Sequence, residues 1–318
     1  MASVNISIFI ATRNRPQSVY NCLISLLQNT YRDCEILIAD QSIDGETEKI
    51  VKNLQSEKIK YFRIQNGGKS RALNFLIKKS KSKIIAFTDD DCVVDKYWIQ
   101  NIALSFKNNA HVIGVFGKTL PYRPNKNLNL VCPCTFENKE IRFISKPEIH
   151  YKTIGYGNNM AFRKELFDKN GTFKEWLGPG SIGDTAEDAE FTLRALVYGH
   201  TLMYNPKVLI RHNKWLSERE MRTQELSYAY GEMACYGYFS HQGYTFAHGV
   251  LKKHMVRTIC LCMKYATSLL CFSWNRKTFG SLYWSMLNLT TQIRGLSIGT
   301  YFAIIDPLKK SFSEVRNK

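Results

Sequence analysis

Residues 84–94, IIAFTDDDCVV, set three carboxylates directly behind Ile84, Ile85, Ala86 and Phe87. An unbroken apolar run of this length reads as a strand buried on both faces, and such strands belong to sheets covered by helices. The flanking segments repeat the unit. VNISIFIA (4–11) alternates and is rich in Ile, TRNRP breaks the pattern, and Val19, Cys22, Leu23, Leu26 and Leu27 follow at helical spacing over 17–29. EILIAD (35–40) precedes a polar helix near 46–56, IKYFRI (59–64) precedes a helix over 69–80, and IIAFT precedes one beginning near Asp95. Strands alternating with helices predict an α/β fold with a mostly parallel sheet and flanking helices. Sites in such sheets lie at the carboxyl ends of the strands. TRNR after the first strand, Asp40 at the end of the second, GGKSR after the third and DDD after the fourth all sit there.

From about 110 to 215 the alternation lapses. HVIGVFGKTL and TLMYNPKVLIRH are strand candidates framing Gly-rich loops, with one helix around 186–199. Beyond 216 the pattern is helical: Met255, Ile259, Cys262, Ala266, Leu269 and Leu270 form one stripe, and Leu282, Met286, Leu289 and Ile293 another. The expected organisation is a catalytic domain over 1–215, with halves 1–109 and 110–215, and a basic helical region over 216–318.

The 318 residues hold 44 Lys and Arg against 27 Asp and Glu, a formal charge of +17, which favours an anionic partner. Residues 249–318 alone carry 11 Lys and Arg against 2 acids. Set beside Trp274, Tyr283, Trp284, Tyr301 and Phe302, these suit helices lying in an anionic bilayer interface; packing on the catalytic domain or a second subunit is the other reading. The longest charge-free run there, Thr278 to Ile293, is too short and polar to span a bilayer, so no transmembrane helix is expected. Nine cysteines lack an extracellular-style spacing, and no apolar segment with a cleavage site opens the chain. A reducing, cytoplasmic setting is expected, peripheral at the inner membrane face. The pairs Cys132/Cys134 and Cys260/Cys262 lack companions at zinc spacing and read as buried thiols.

An acidic run is usually a solvated loop. Here a buried-type strand leads into it, and side chains two apart on an extended segment share a side. Asp89 and Asp91 are therefore expected to converge on one hard-oxygen site suited to Mg²⁺ or Mn²⁺, which would neutralise charge building on a departing diphosphate.

The ordered set TRNR, Asp40, NGGKSRALN (66–74), TDDDC (88–92), GNNMAFRKELF (157–167) and EDAEFTLRALVYG (187–199) resembles the family 2 nucleotide-sugar glycosyltransferases of the Rossmann-like GT-A fold, over roughly residues 4–215. The resemblance implies that Asp40 contacts the nucleotide base, that Thr12 and Arg13 line the same pocket, and that Lys69 and Arg71 meet the nucleotide or diphosphate. Asp89 would face the ribose or the metal's water shell, Asp91 would bind the metal, and Asp188, beside Glu187 at a helix start, would be the catalytic base. The other reading of that pair is an acidic first turn favoured by the helix dipole. His212 stands either near the metal or diphosphate or as an ordinary histidine. Trp176 and Trp215 could stack on a sugar ring or be buried, and Asn158 and Asn159 match positions on the acceptor side.

The implied reaction is a single inverting displacement from a nucleotide-sugar, most commonly a UDP-sugar, to a hydroxyl of a glycan or lipid-linked acceptor. Lys174 stands where relatives usually carry an acid, which leaves acceptor contacts open. Nothing resembles the Q-x-x-R-W signature of processive synthases, so one sugar per encounter is expected. Two rivals share some features. A nucleotidyltransferase acting on sugar phosphates would use the alternation and the acidic pair, but has no use for GNNMAF or the Glu187-Asp188 pair. A nucleic-acid-binding protein would explain +17, but no zinc finger, helix-turn-helix or RNP-like signature is present, and nucleic acid is not an expected partner.

Overall fold

The computed structural model describes residues 5–65, 67–123, 129–147, 153–271 and 276–308. Val4, Asn66 of the glycine loop and Trp274 lie outside them. The chain divides into two units: Met1–Glu175 with Glu187–Met221, and Trp176–Ala186 with Arg222–Lys318.

The first unit is built on a nine-stranded sheet. Its opening half follows the expected alternation: β1 (Ile6–Thr12), α1 (Pro16–Leu27), β2 (Cys34–Asp40), α2 (Glu46–Asn53), β3 (Ile59–Arg63), α3 (Gly68–Lys79) and β4 (Ile84–Thr88). A short β5 (Cys92–Val94), absent from the sequence expectation, intervenes before α4 (Trp98–Asn108). The second half supplies β6 (Val112–Pro121), β7 (Leu130–Val131), β8 (Arg142–Ile144), β9 (Asn159–Arg163), α5 (Glu165–Asn170), α6 (Glu187–Val197), β10 (Thr201–His212) and β11 (Leu216–Ser217). The strand order is β3-β2-β1-β4-β9-β6-β10-β5, with β8 on β10, while β7 and β11 form a separate antiparallel pair. Strands β1 to β4, β6 and β10 share one direction, and β5, β8 and β9 oppose them.

The period of two sorts each strand between two cores. Ile6, Ile8 and Ile10 pack with α1 and α4, whereas Phe9 packs with α3 and α6; Ile84 and Ala86 divide from Ile85 and Phe87 in the same way. Full burial of one such side chain is worth about 1.5–3 kcal/mol, so a register slip of one residue would be costly. Under β4, Phe87, Phe162, Phe167, Phe173 and Phe191 form one aromatic cluster, with Phe167 stacked on Phe191 at 4.7 Å. Phe191 is one turn into α6, so the cluster fixes the start of that helix.

The second unit takes in α7 (Glu218–His241) from Arg222 onward, followed by α8 (Thr245–Cys271) and α9 (Arg276–Ile305). Gly299 lets α9 approach α7 closely, since a Cβ there would lie 2.0 Å from the Ala234 carbonyl oxygen. The α8–α9 hairpin is tied by a buried Gln292 to Thr258 hydrogen bond of 2.8 Å. Neither apolar stripe read from the sequence is buried whole: Met255, Cys262 and Ala266 are half-buried, but Ile259 and Leu270 face solvent, as do Met286 and Ile293 on α9. Among the described residues, no helix is long and apolar enough to cross a membrane.

Candidate active site

Sheet register explains why the polar residues meet. In the β1–β4 pair Ile6 lies opposite Ile84 and Phe9 opposite Phe87, and the same offset carries Thr12 to Asp90. The Thr12 hydroxyl donates to Asp90 Oδ2 at 2.7 Å. In the β10–β5 pair His212 lies opposite Cys92, and the Asn213 amide donates to the Asp91 carbonyl at 2.8 Å. Antiparallel β9 begins at Asn159 opposite Thr88, so Gly157 and Asn158 arrive beside the acidic turn from the other side.

The three acids part company there. Residues 89–91 form a turn, closed by the Cys92 amide on the Asp89 carbonyl at 3.1 Å, so the alternation expected of an extended segment does not apply. Asp89 turns to Lys69, whose Nζ is 2.7 Å from Asp89 and 3.3 Å from Glu187. Asp90 is buried and receives Thr12 and Arg15; burial, then its neighbour Asp91, pushes its carboxyl up to about 6 against the pull of Arg15. Asp91 lies 3.3 Å from Arg15 and 3.2 Å from His212 Nε2. Burial opposes its ionisation, but the hydrogen bond and charge of His212 hold it below the usual carboxylate range. Burial likewise opposes the charged imidazole, yet hydrogen bonds to Asp91 and Cys132 raise His212 to about 9.

Asp91, Cys92 and His212 place one ligand atom each within 4.8 Å of the others. Burial, then Asp91 and Asp89, pushes the Cys92 thiol well above its ordinary value, which leaves carboxylate and imidazole as the ready donors. A carboxylate and an imidazole together could hold a divalent cation. Asp89, with its carboxylate on Lys69, stands apart from this donor set.

Glu187 and Asp188 open α6. Glu187 is buried, and burial raises its carboxyl to about 7 despite the counteracting Lys69. Asp188 is half-buried: Oδ2 accepts the Gly157 amide at 2.7 Å and Oδ1 accepts the Ala189 amide at 2.8 Å. Glycine is required at 157, because a Cβ there would lie 2.6 Å from Asp188 Oδ2.

The remaining expected residues divide. Asp40 is fully buried, with its carboxylate taken by the Ser42 amide and hydroxyl and the Tyr61 hydroxyl at 2.7 Å. Arg13 is exposed on the loop after β1, and Arg71 is exposed in the first turn of α3. Asn159 is fully buried and stitches the core, accepting from Trp98 Nε1 at 2.8 Å and donating to the Lys118 and Val208 carbonyls. Its neighbour Asn158 is buried too, but while Oδ1 accepts from Thr119, its Nδ2 has no hydrogen-bond partner among the described residues. Trp176 belongs to the helical unit, where it stacks flat on Phe302 at 4.4 Å. Asp90, Arg15 and Gly157 were not singled out from the sequence. The strand offset that pairs Thr12 with residue 90 would have found the first, but it needs the pairing partner to be known.

Residues 7–171, just over half of the chain, match the family model described as Glycosyl transferase family 2. The chain belongs to glycosyltransferase family 2. Among its family relatives, an uncharacterized glycosyltransferase of Rickettsia typhi is 30% identical over 178 residues, 54% of each chain. The Escherichia coli UDP-Glc:alpha-D-GlcNAc-diphosphoundecaprenol beta-1,3-glucosyltransferase is 28% identical over 172 residues, covering 52% of this chain and 61% of that one. The alignments thus span less than two thirds of these relatives' lengths. In fold, the chain is similar to a mannosyltransferase from Pyrobaculum calidifontis solved with GDP-Man and Mn²⁺, with a TM-score of 0.58 at 14% identity over 93% of this chain and 88% of that one. The α/β architecture with a mostly parallel sheet is therefore that of the GT-A glycosyltransferases.

Proposed function

We propose that this chain transfers one sugar per encounter from a UDP-sugar to a hydroxyl of a lipid-linked glycan, in one inverting displacement with Asp188 as general base. One observation carries the reading: Lys69 bridges Asp89 and Glu187, so the acidic turn and the helix start bearing Asp188 form one cluster. Two backbone amides hold the Asp188 carboxylate in place while leaving lone pairs on both oxygens, the arrangement a base needs to receive a proton from an acceptor hydroxyl as it attacks the anomeric carbon. Lys69 and Arg71 in the first turn of α3, with Arg13 on the loop after β1, supply positive charge for the diphosphate.

Asp91 and His212 would hold Mn²⁺ or Mg²⁺, which when bound neutralises charge on the leaving nucleoside diphosphate. The unpartnered Asn158 Nδ2 would donate to a sugar or acceptor hydroxyl. A diphosphoundecaprenol acceptor in the name of the E. coli relative supports a lipid-linked acceptor, and the exposed apolar and basic α8–α9 hairpin supports a place at an anionic membrane face.

The test is a panel of nucleotide sugars offered with undecaprenyl-diphosphate-linked acceptors, with and without Mn²⁺. Metal-dependent release of nucleoside diphosphate, with inversion at the anomeric carbon by NMR, is expected. No turnover of the panel, with pyrophosphate released instead from a nucleoside triphosphate and a sugar phosphate, would make the chain a nucleotidyltransferase, and retention of configuration would remove Asp188 from its role as base.

A further inference from the structure

The two half-buried cysteines of the Cys132-Pro-Cys134 stretch have no place in the reaction proposed above. Cys132 nevertheless touches its centre: Sγ lies 3.5 Å from His212 Nδ1, on the side of the ring opposite the Nε2 that faces Asp91. The contact is held by the backbone. β7 ends at Val131, which pairs with Leu216 of β11, so residue 132 is pinned beside the chain leaving β10 at His212.

The sulfur has carbonyl acceptors within reach of its own S–H. Sγ is within donating reach of the Cys134 carbonyl at 3.8 Å and the His212 carbonyl at 3.8 Å, and carbonyls can only accept. With S–H directed to a carbonyl, the sulfur lone pairs face the ring and accept Nδ1–H. That ties the Nδ1 proton to the sulfur and leaves Nε2, the nitrogen that faces Asp91, as the one a metal ion would take in place of its proton.

We infer that Cys132 is a positioning residue that orients His212 as a metal ligand and sets its tautomer. This rests on the proposal that Asp91 and His212 hold the divalent cation. A thiol in this place also makes metal affinity sensitive to the redox and alkylation state of one side chain.

The test is Mn²⁺ titration of the full chain, with free ion counted by electron paramagnetic resonance, for wild type, His212→Ala, Cys132→Ala and Cys132→Ser. Thermal melts without metal check that each variant is folded. His212→Ala is expected to weaken Mn²⁺ binding strongly. Cys132→Ala should weaken it about 10–100-fold, the usual effect of losing a partner of a metal-bound histidine. Cys132→Ser, whose hydroxyl can both accept from Nδ1 and donate to a carbonyl, should restore most of the loss. If His212→Ala weakens binding and Cys132→Ala does not, the inference falls and the metal site stands. If both alanine variants bind as wild type, or wild type binds no Mn²⁺, the metal-site proposal itself falls. A serine variant as weak as the alanine one would show that the hydrogen bond is not what the thiol contributes.

Discussion

Two buried side chains carry distinct costs that solution measurements can read. Glu187 titrates near 7 in the folded chain against 4.5 when unperturbed, chiefly because it is buried. Between those values the unfolded chain releases this proton and the folded chain keeps it, so Glu187 lowers stability as pH rises from about 4.5 to 7, by up to about 1.4 kcal/mol per pH unit. Glu187→Gln should flatten that part of the stability profile in urea titrations at several pH values; an unchanged slope would mean the carboxyl is ionised throughout. Asn158 buries an amide donor without a partner, at a cost of about 1–3 kcal/mol. Asn158→Ala relieves that cost but removes the acceptor of the buried Thr119 hydroxyl, so it is expected to melt close to wild type while losing catalytic efficiency through a raised KM; a clear fall in melting temperature with unchanged KM would mark the residue as structural. At this scale the sequence was legible for residue types but not for partners. Asp188 and Asp91 could be picked out by motif order, whereas Asp90 could not, because its importance comes from a β1–β4 offset between residues 78 apart. Asn159 shows the converse: adjacent to Asn158 and alike in sequence, it points the other way and is consumed by Trp98 and two carbonyls.

Among the elements, strands β1 to β4 and helices α1, α3 and α6 were readable because their apolar residues recur at a regular period, and β1, β2 and β4 are buried on both faces. The short β5, β7 and β11 were not, since two or three residues carry no period and their pairing is set by distant strands. The acidic turn misled for a related reason: a period of two holds only while the chain stays extended, and it stops at Thr88. In the helical region, periodicity located the helices and their apolar stripes but not which part of each stripe is covered, because α8 and α9 cover each other on one side only. That leaves Val256, Ile259 and Met263 on α8 and Tyr283, Met286 and Ile293 on α9 exposed, in a stretch rich in Lys and Arg. Full-length protein is expected to sediment with vesicles containing phosphatidylglycerol, to release as salt rises, and to bind neutral phosphatidylcholine vesicles weakly. Met263→Glu with Met286→Glu should abolish the sedimentation without lowering the melting temperature, as both side chains are more than half exposed. Wild-type protein that ignores anionic vesicles would leave this face to another partner.

For the molecule as a whole, a formal charge of +17 is reconciled with a densely acidic centre by what the centre does. Asp89, Asp90, Asp91, Glu187 and Asp188 are each held by a cation, a hydroxyl or backbone amides, so the acids are ordered before any ligand arrives. This preorganisation is the physical basis of the proposed catalysis, because donors and charges already fixed in place need no rearrangement as the transition state forms. With the metal on Asp91 and the proton on Asp188, the most direct test compares Asp91→Asn with Asp188→Asn for Mn²⁺-dependent UDP binding by calorimetry alongside sugar transfer. Asp188→Asn is expected to bind UDP and Mn²⁺ as wild type does while transfer falls at least about 10²–10⁴-fold, the range for loss of a general base, and Asp91→Asn to lose both. Equal loss of binding in the two variants, or transfer that survives in Asp188→Asn, would contradict that division.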